Sequence, residues 1–160
     1  MENHEVTGAA CPLVLWIKGE EKEFQAVAFS DRDFTELDLW VQSQVISIHR
    51  HSLRLAEEEA RAEGVPVDFI YEEEMQIASK AAISVSIYEE SGTKILNTPK
   101  GIARMAWIMC RKNHPDITYK YFIDACRNAE NMYEVIRVSA KLNPMDTKPV
   151  ETKVKDPAGN

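Results

Sequence analysis

A chain of 160 residues with 44% hydrophobic content is long enough for one domain with a true core and too short for two full ones. Its net charge of -7 is unevenly spread, because residues 1–98 hold 19 acids against 8 bases and residues 99–160 hold 7 against 11. An acidic larger part argues against nucleic acid or an anionic membrane as partner, since both select a clustered positive face. Most of these charges read as solvated helix faces. No run approaches 18 consecutive apolar residues, and MENHEVTGAACPLVLWIKGE has acids where a signal peptide has a basic leader, so a soluble intracellular protein is expected. The three cysteines, Cys11, Cys110 and Cys126, form no C-x-x-C, and Cys110 and Cys126 sit in apolar runs that suit small buried hydrophobes.

Pro12 to Phe29 opens the fold as a hairpin. LVLWI is a short apolar strand, KGEEK a polar turn around Gly19, and EFQAVAF the return, with β-formers at Phe24, Val27 and Phe29. Such a pair is marginal alone in water and needs something to rest on. A long helix follows at once: Ser30 and Asp33 match an N-cap with an acid at N3. Phe34, Leu37, Val41, Val45, Ile48 and Leu55 then recur on one helical face as far as a stop at Gly64 and Pro66.

A second helical pattern covers about 68 to 90, with Ile70, Ile77, Ala81, Val85 and Tyr88 as its stripe and a β-rich ISVSIY inside it. Ser91-Gly92-Thr93 reads as a break. Thr98-Pro99 then starts a third helix, about 99 to 113, whose apolar residues cover most of its circumference. A short helix carrying Phe122, Ala125 and Cys126 and a last one carrying Met132, Val135, Ile136 and Val138 complete the pattern. Beyond Leu142 the composition turns to proline, lysine and acid. The expected fold is therefore α+β: mostly α, with a β-hairpin (12–29) packed on a small helical bundle (31–142), one compact domain over 1–142, and a disordered tail over 143–160.

Chemistry-bearing motifs are few. The six glycines make no phosphate loop. His49 and His51 form H-x-H, which shares a face on a strand but diverges by about 200° on a helix, so exposed histidines are expected. Glu57-Glu58-Glu59 and Glu72-Glu73-Glu74 point in successive directions on a helix and make no paired acid and base. No arrangement of nucleophile, base and acid stands out, so no enzyme, metal or cofactor is expected. Asn113-His114-Pro115-Asp116 has the tripeptide of co-chaperones that stimulate Hsp70. The Tyr-Tyr and Leu-Gly helix that precedes it in that family is missing, however, and helix-end chemistry accounts for NHPDIT residue by residue.

The stretch IARMAWIMCRKNHPDIT, residues 102–118, resembles a segment of phage tail assembly chaperones, in which an apolar L-W-L-x-L-R-K helix leads into an H-P-D/E-[IL]-T connection. WIKGEEKEFQAVAFSDRDFTELDLWVQ resembles the hairpin and first helix of several such proteins, whereas 64–97 has no counterpart. The resemblance implies a non-enzymatic protein of the host cytoplasm that binds the tape measure protein, with the tail tube protein as a second partner, and leaves the finished particle. It leaves homo-oligomer formation and a longer frameshifted product open. A structural tail or baseplate protein is the first alternative, and a J-type co-chaperone using His114-Pro115-Asp116 the second.

A chaperone of this kind offers apolar side chains to its client. Ile102, Met105, Trp107 and Met109 are the candidate client contacts, because methionine and aromatic residues adapt to varied helical partners. The competing expectation is that a stripe at helical spacing is core, which moves the client surface elsewhere, for instance onto the acidic helices.

Overall fold

The structure, a computed structural model, describes residues 10–66 and 68–144. Alternating apolar residues build strands β1 (Cys11–Ile17) and β2 (Glu20–Ala26), which pair antiparallel from Ile17 opposite Glu20 to Cys11 opposite Ala26. Leu13, Leu15, Phe24 and Ala26 form the buried face. The turn is shorter than KGEEK. Lys18 and Gly19 both adopt positive φ, 54° and 82°, the two-residue geometry whose twist matches the strands, so Glu20 to Lys22 join β2 on its exposed side. The return strand also ends early: Val27 N–H donates to the Met109 carbonyl at 3.0 Å, which turns Phe29 away to meet Phe34.

Helix α1 (Asp31–Ala62) starts with the expected capping box. The Ser30 hydroxyl accepts from Asp33 N–H at 3.2 Å, and the Asp33 carboxylate accepts from Ser30 N–H at 2.9 Å. It ends at Glu63 and Gly64, as the sequence indicates. α2 (Asp68–Ser84) runs back along it and packs on no other element to a comparable extent.

Between α2 and α4 the sequence pattern misleads. The helix stops at Ser84 instead of Glu90, because Asp38 accepts from Ile87 N–H at 2.8 Å and from the Ser86 hydroxyl at 3.3 Å, and the chain turns there, Glu89 N–H donating to the Ser86 carbonyl at 3.1 Å. Ser91-Gly92-Thr93 is then not a break but the middle of α3 (Glu90–Leu96). Gly92 serves close approach: a Cβ there would lie 1.9 Å from the Ser86 carbonyl oxygen.

α4 (Pro99–Cys110) begins as expected, Thr98 accepting from Gly101 N–H with proline at the first position, and is shorter than 99–113. It is the centre of the molecule, in contact with β2, α3, α5 (Tyr119–Ala125) and α6 (Ala129–Leu142). Thr118 and Asn128 cap the last two helices. The architecture is thus mostly α with an N-terminal hairpin on a helical bundle. Of the expected tail over 143–160, Asn143 and Pro144 are described, and Asn143 is tied to the body, its Oδ1 accepting from Phe29 N–H at 2.7 Å; the rest lies outside the described residues, and no described helix is long and apolar enough to cross a membrane.

Candidate functional site

Of the four candidate client contacts on α4, three are interior. Met109 is fully buried, and Ile102 and Met105 nearly so; all three belong to the central apolar cluster. α4 is apolar around its circumference because neighbours enclose it on several sides. In this conformation those residues present no surface to a client.

Trp107 is half-buried and differently employed. Its indole N–H donates to the Ile117 carbonyl at 3.1 Å, and its ring lies between two guanidinium groups, Arg104 at 5.0 Å and Arg111 at 4.8 Å. Arg104 also covers the Tyr119 ring at 4.9 Å. Arg111 holds Glu36 through two nitrogens, at 3.0 and 2.7 Å, and reaches Asp33 at 2.8 Å, which ties the first turns of α1 to the end of α4. Burial works to raise the Asp33 carboxyl, but the Ser30 backbone bond and Arg111 outweigh it and hold it below its ordinary value. The Arg111 hydrogen bonds do the same for Glu36. This cluster is a clamp whose charges are mutually engaged.

The Asn113-His114 stretch closes a sheet edge. Gln25 turns its outward N–H and C=O toward that loop, where His114 Nε2 accepts from the N–H at 2.9 Å and the Asn113 amide donates to the C=O at 3.1 Å. The His114 ring meets Phe24 edge-on at 5.5 Å. On the other edge, Asn131, only 1% exposed, treats Trp16 in the same way: its Oδ1 accepts from Trp16 N–H and its Nδ2 donates to Trp16 C=O, each at 2.8 Å. Both edges of a two-stranded sheet are thus paired by side chains that imitate a further strand. Asp116 is exposed.

No family model, curated protein or solved structure matches the chain. Function has to be read from the surfaces.

Cys110 and Cys126 are buried and free, and burial pushes them up to about 12 and about 11. His51 is exposed on α1 and His49 half-buried, and among the described residues no group of three or more histidine, cysteine or acidic side chains gathers as for a metal. Glu58 and Glu59 are exposed; the side chains of Glu72 and Glu73 lie outside the described residues. A narrow apolar cleft of about 190 Å³ opens among Phe34, Leu37, Tyr88, Leu96, Met105 and Ile136, with no charged group on its walls.

The surface that stands apart is on the distal part of α1 and on α2. There Leu53, Ala60, Ala78 and Ala82 are buried, yet none belongs to the central cluster. The two helices make an antiparallel arm whose contact, among the described residues, buries Leu53, Ala60, Ala78 and Ala82. Several large apolar residues of the arm are exposed: Ile48 is 59% exposed, Leu55 52% and Ile83 78%. Ile77 is also exposed, against its place on the expected α2 stripe; Ala78 and Ala82, one residue further round from Ile77 and Ala81, take the inner positions. The side chain of Ile70 lies outside the described residues.

The periodicity in α1 is real, but it does not mark burial throughout. Val41, Ile48 and Leu55 follow one another at seven residues and share a face. Val41 is fully buried where α1 crosses the body, and the same face continues past it into solvent. The spacing carried this surface in plain view; only the point where the body ends was missing.

Proposed function

We propose that this protein is a non-catalytic assembly chaperone of the phage tail type, acting in the host cytoplasm by holding apolar helical segments of the tape measure protein. The observation that carries the reading is the arm: two helices, set apart from the central cluster, on which Ile48, Leu55, Ile77 and Ile83 are exposed. Large apolar side chains exposed along one helix face mark a binding surface, and a helical client fits such a face by its own apolar stripe. The client contacts therefore move from Ile102, Met105, Trp107 and Met109, which keep the body folded, to Ile48, Leu55 and their neighbours. The local resemblance of residues 102–118 and of the hairpin to tail assembly chaperones supplies the choice of client.

Co-expression with the tape measure protein of the same phage tests the reading. Co-purification is expected from the parent and from Met105→Leu, and is lost in Leu55→Asp at unchanged helicity and melting temperature. Mass spectrometry of finished particles separates chaperone from structural component: absence is expected, and presence in amounts typical of tail subunits overturns the chaperone reading in favour of a virion protein. Stimulation of an Hsp70 ATPase that disappears in Asp116→Asn would overturn it in favour of the J-type alternative.

A further inference from the structure

We infer that the apolar cleft where α1, α3 and α6 meet over α4 is an anchor pocket, which takes one uncharged, ring-sized apolar side chain of a partner protein. It is a second contact point, on the body, and does not depend on the arm.

Size decides what kind of occupant fits. At about 190 Å³ the cleft falls below the roughly 300–1,000 Å³ of sites that take up whole small molecules. It exceeds the volume of about 150 Å³ in which a dry apolar cavity holds one benzene ring. One side chain of the phenylalanine or tryptophan kind fills it, and the rest of whatever carries that side chain stays outside. The buried anchors of protein interfaces are seated in this way.

The walls set the chemistry. Leu37, Ile87, Leu96 and Met105, all buried, form the floor, and Phe29 and Phe34 meet edge-on at 5.4 Å beside it. Among the described residues no lysine, arginine, aspartate or glutamate lines the cleft, so a charged occupant would lose its hydration and gain no partner. Two polar groups on the wall are already engaged. Thr93 donates to the Glu89 carbonyl at 3.0 Å, and Asn143 accepts from Phe29 N–H at 2.7 Å while donating to the Ser139 carbonyl at 3.2 Å. An apolar ring in the cleft leaves all three bonds intact.

The mouth indicates that the occupant continues. Tyr88, 63% exposed just before α3, and Ile136, 41% exposed on α6, both border the cleft. A free ring inside it leaves them in water, whereas a chain that carries the ring covers them. The occupant that buries most apolar surface is therefore a large side chain with its backbone and neighbours attached.

The probes are capped pentapeptides, Gly-Gly-X-Gly-Gly with tryptophan, phenylalanine, lysine or glutamate at X, and free indole. They are titrated into the full chain with labelled methionine and isoleucine methyl groups, where Met105, Ile87 and Ile136 report on the cleft. The tryptophan and phenylalanine peptides are expected to shift these three resonances saturably in the millimolar range, equally at about 0.05 M and about 0.5 M NaCl, because no charge takes part. The lysine and glutamate peptides should leave them in place, and indole should bind more weakly than the tryptophan peptide. Ala140→Phe brings a ring to the cleft from an exposed position on α6, where the fold tolerates it, and should weaken the tryptophan peptide by roughly tenfold. Tyr88→Ser should weaken that peptide more than it weakens indole. Equal shifts with the lysine peptide, undiminished binding to Ala140→Phe, or unmoved methyl groups up to about 10 mM peptide would each overturn the proposal. Tighter binding of indole than of the peptide would overturn it in favour of a free small molecule, and probe-free shifts that follow protein concentration would overturn it in favour of a second copy. Leu55→Ser, on the distal half of α1, should bind the tryptophan peptide as the parent does. Loss of tape measure co-purification in that variant and loss of peptide binding in Ala140→Phe thus test the two readings separately.

Discussion

Two regions of this chain solve the burial problem differently. In the body, α4 is enclosed by β2, α3, α5 and α6, and large residues such as Phe122, Leu13, Leu15 and Met109 are fully buried. In the arm, the described residues buried between α1 and α2 are Leu53 and three alanines, while Ile48, Leu55 and Ile83 stand exposed. Similar side-chain types are enclosed in one region and exposed in the other. Hydrophobic content alone therefore does not locate a core; what counts is how many elements reach a given helix face.

The largest expected effect falls in the body. Phe122→Ala removes a ring packed against Phe24 and Tyr121, at 5.5 and 5.7 Å, and should cost about 3–5 kcal/mol in denaturant unfolding. A loss below about 1 kcal/mol would mean that the body tolerates cavities, and that the contrast with the arm is false. Asn131→Ala comes next. It strands the Trp16 N–H and C=O in a buried place and removes the bond to the Ala125 carbonyl, for an expected loss of about 2–4 kcal/mol. Asn131→Leu should be no better, since filling the volume leaves the strand edge unpaired.

The clamp between α1 and α4 ranks third. Arg111→Met takes the guanidinium away from Trp107, Asp33 and Glu36, leaving Glu36 only Arg104 at 3.6 Å, and should cost about 1–3 kcal/mol near neutral pH. Its signature is in the pH profile. Both carboxyls are held below their unfolded values of 3.8 and 4.5, so their contribution is complete above those values and fades as the pH falls from there through the lower folded ones. The parent should therefore lose melting temperature over that acid range more steeply than Arg111→Met. Parallel profiles would show that the clamp is not what the acid limb reports.

Much of this was legible in the sequence, for local reasons. The Ser30 and Asp33 capping box, the Thr98-Pro99 start and the hairpin depend on residues close in the chain, and the structure places them as the pattern indicates. Tertiary facts were not legible. Asp38 must reach across to Ile87 before the run between two helices can leave the helix and turn, and Gly92 looks like a breaker until the Ser86 backbone is seen against it. The roles of His114 and Asn131 needed the hairpin edges in place. For the candidate site, helical spacing names a face without saying what covers it, so Met105 and Met109 could be read either as core or as surface, and nothing in the pattern marked Ile48 and Leu55 as exposed.

The smallest effect is the most informative about the arm. Leu55→Ser and Ile83→Ser exchange side chains that are already more than half in water, so each should change unfolding free energy by no more than about 0.5 kcal/mol. Ala78→Leu, by contrast, forces extra volume into the fully buried contact between α1 and α2 and should cost about 1–3 kcal/mol. If the arm opens independently of the body, that cost will surface locally. Hydrogen exchange would then quicken in α2 and the distal half of α1, while α4 and the hairpin keep their protection. Uniform quickening across both regions would instead show one cooperative unit, in which the alanine seam is as much a part of the core as Phe122. In that case the exposed face of α1 is held rigid by the whole fold, and a partner helix would meet a preformed surface rather than one that orders on contact.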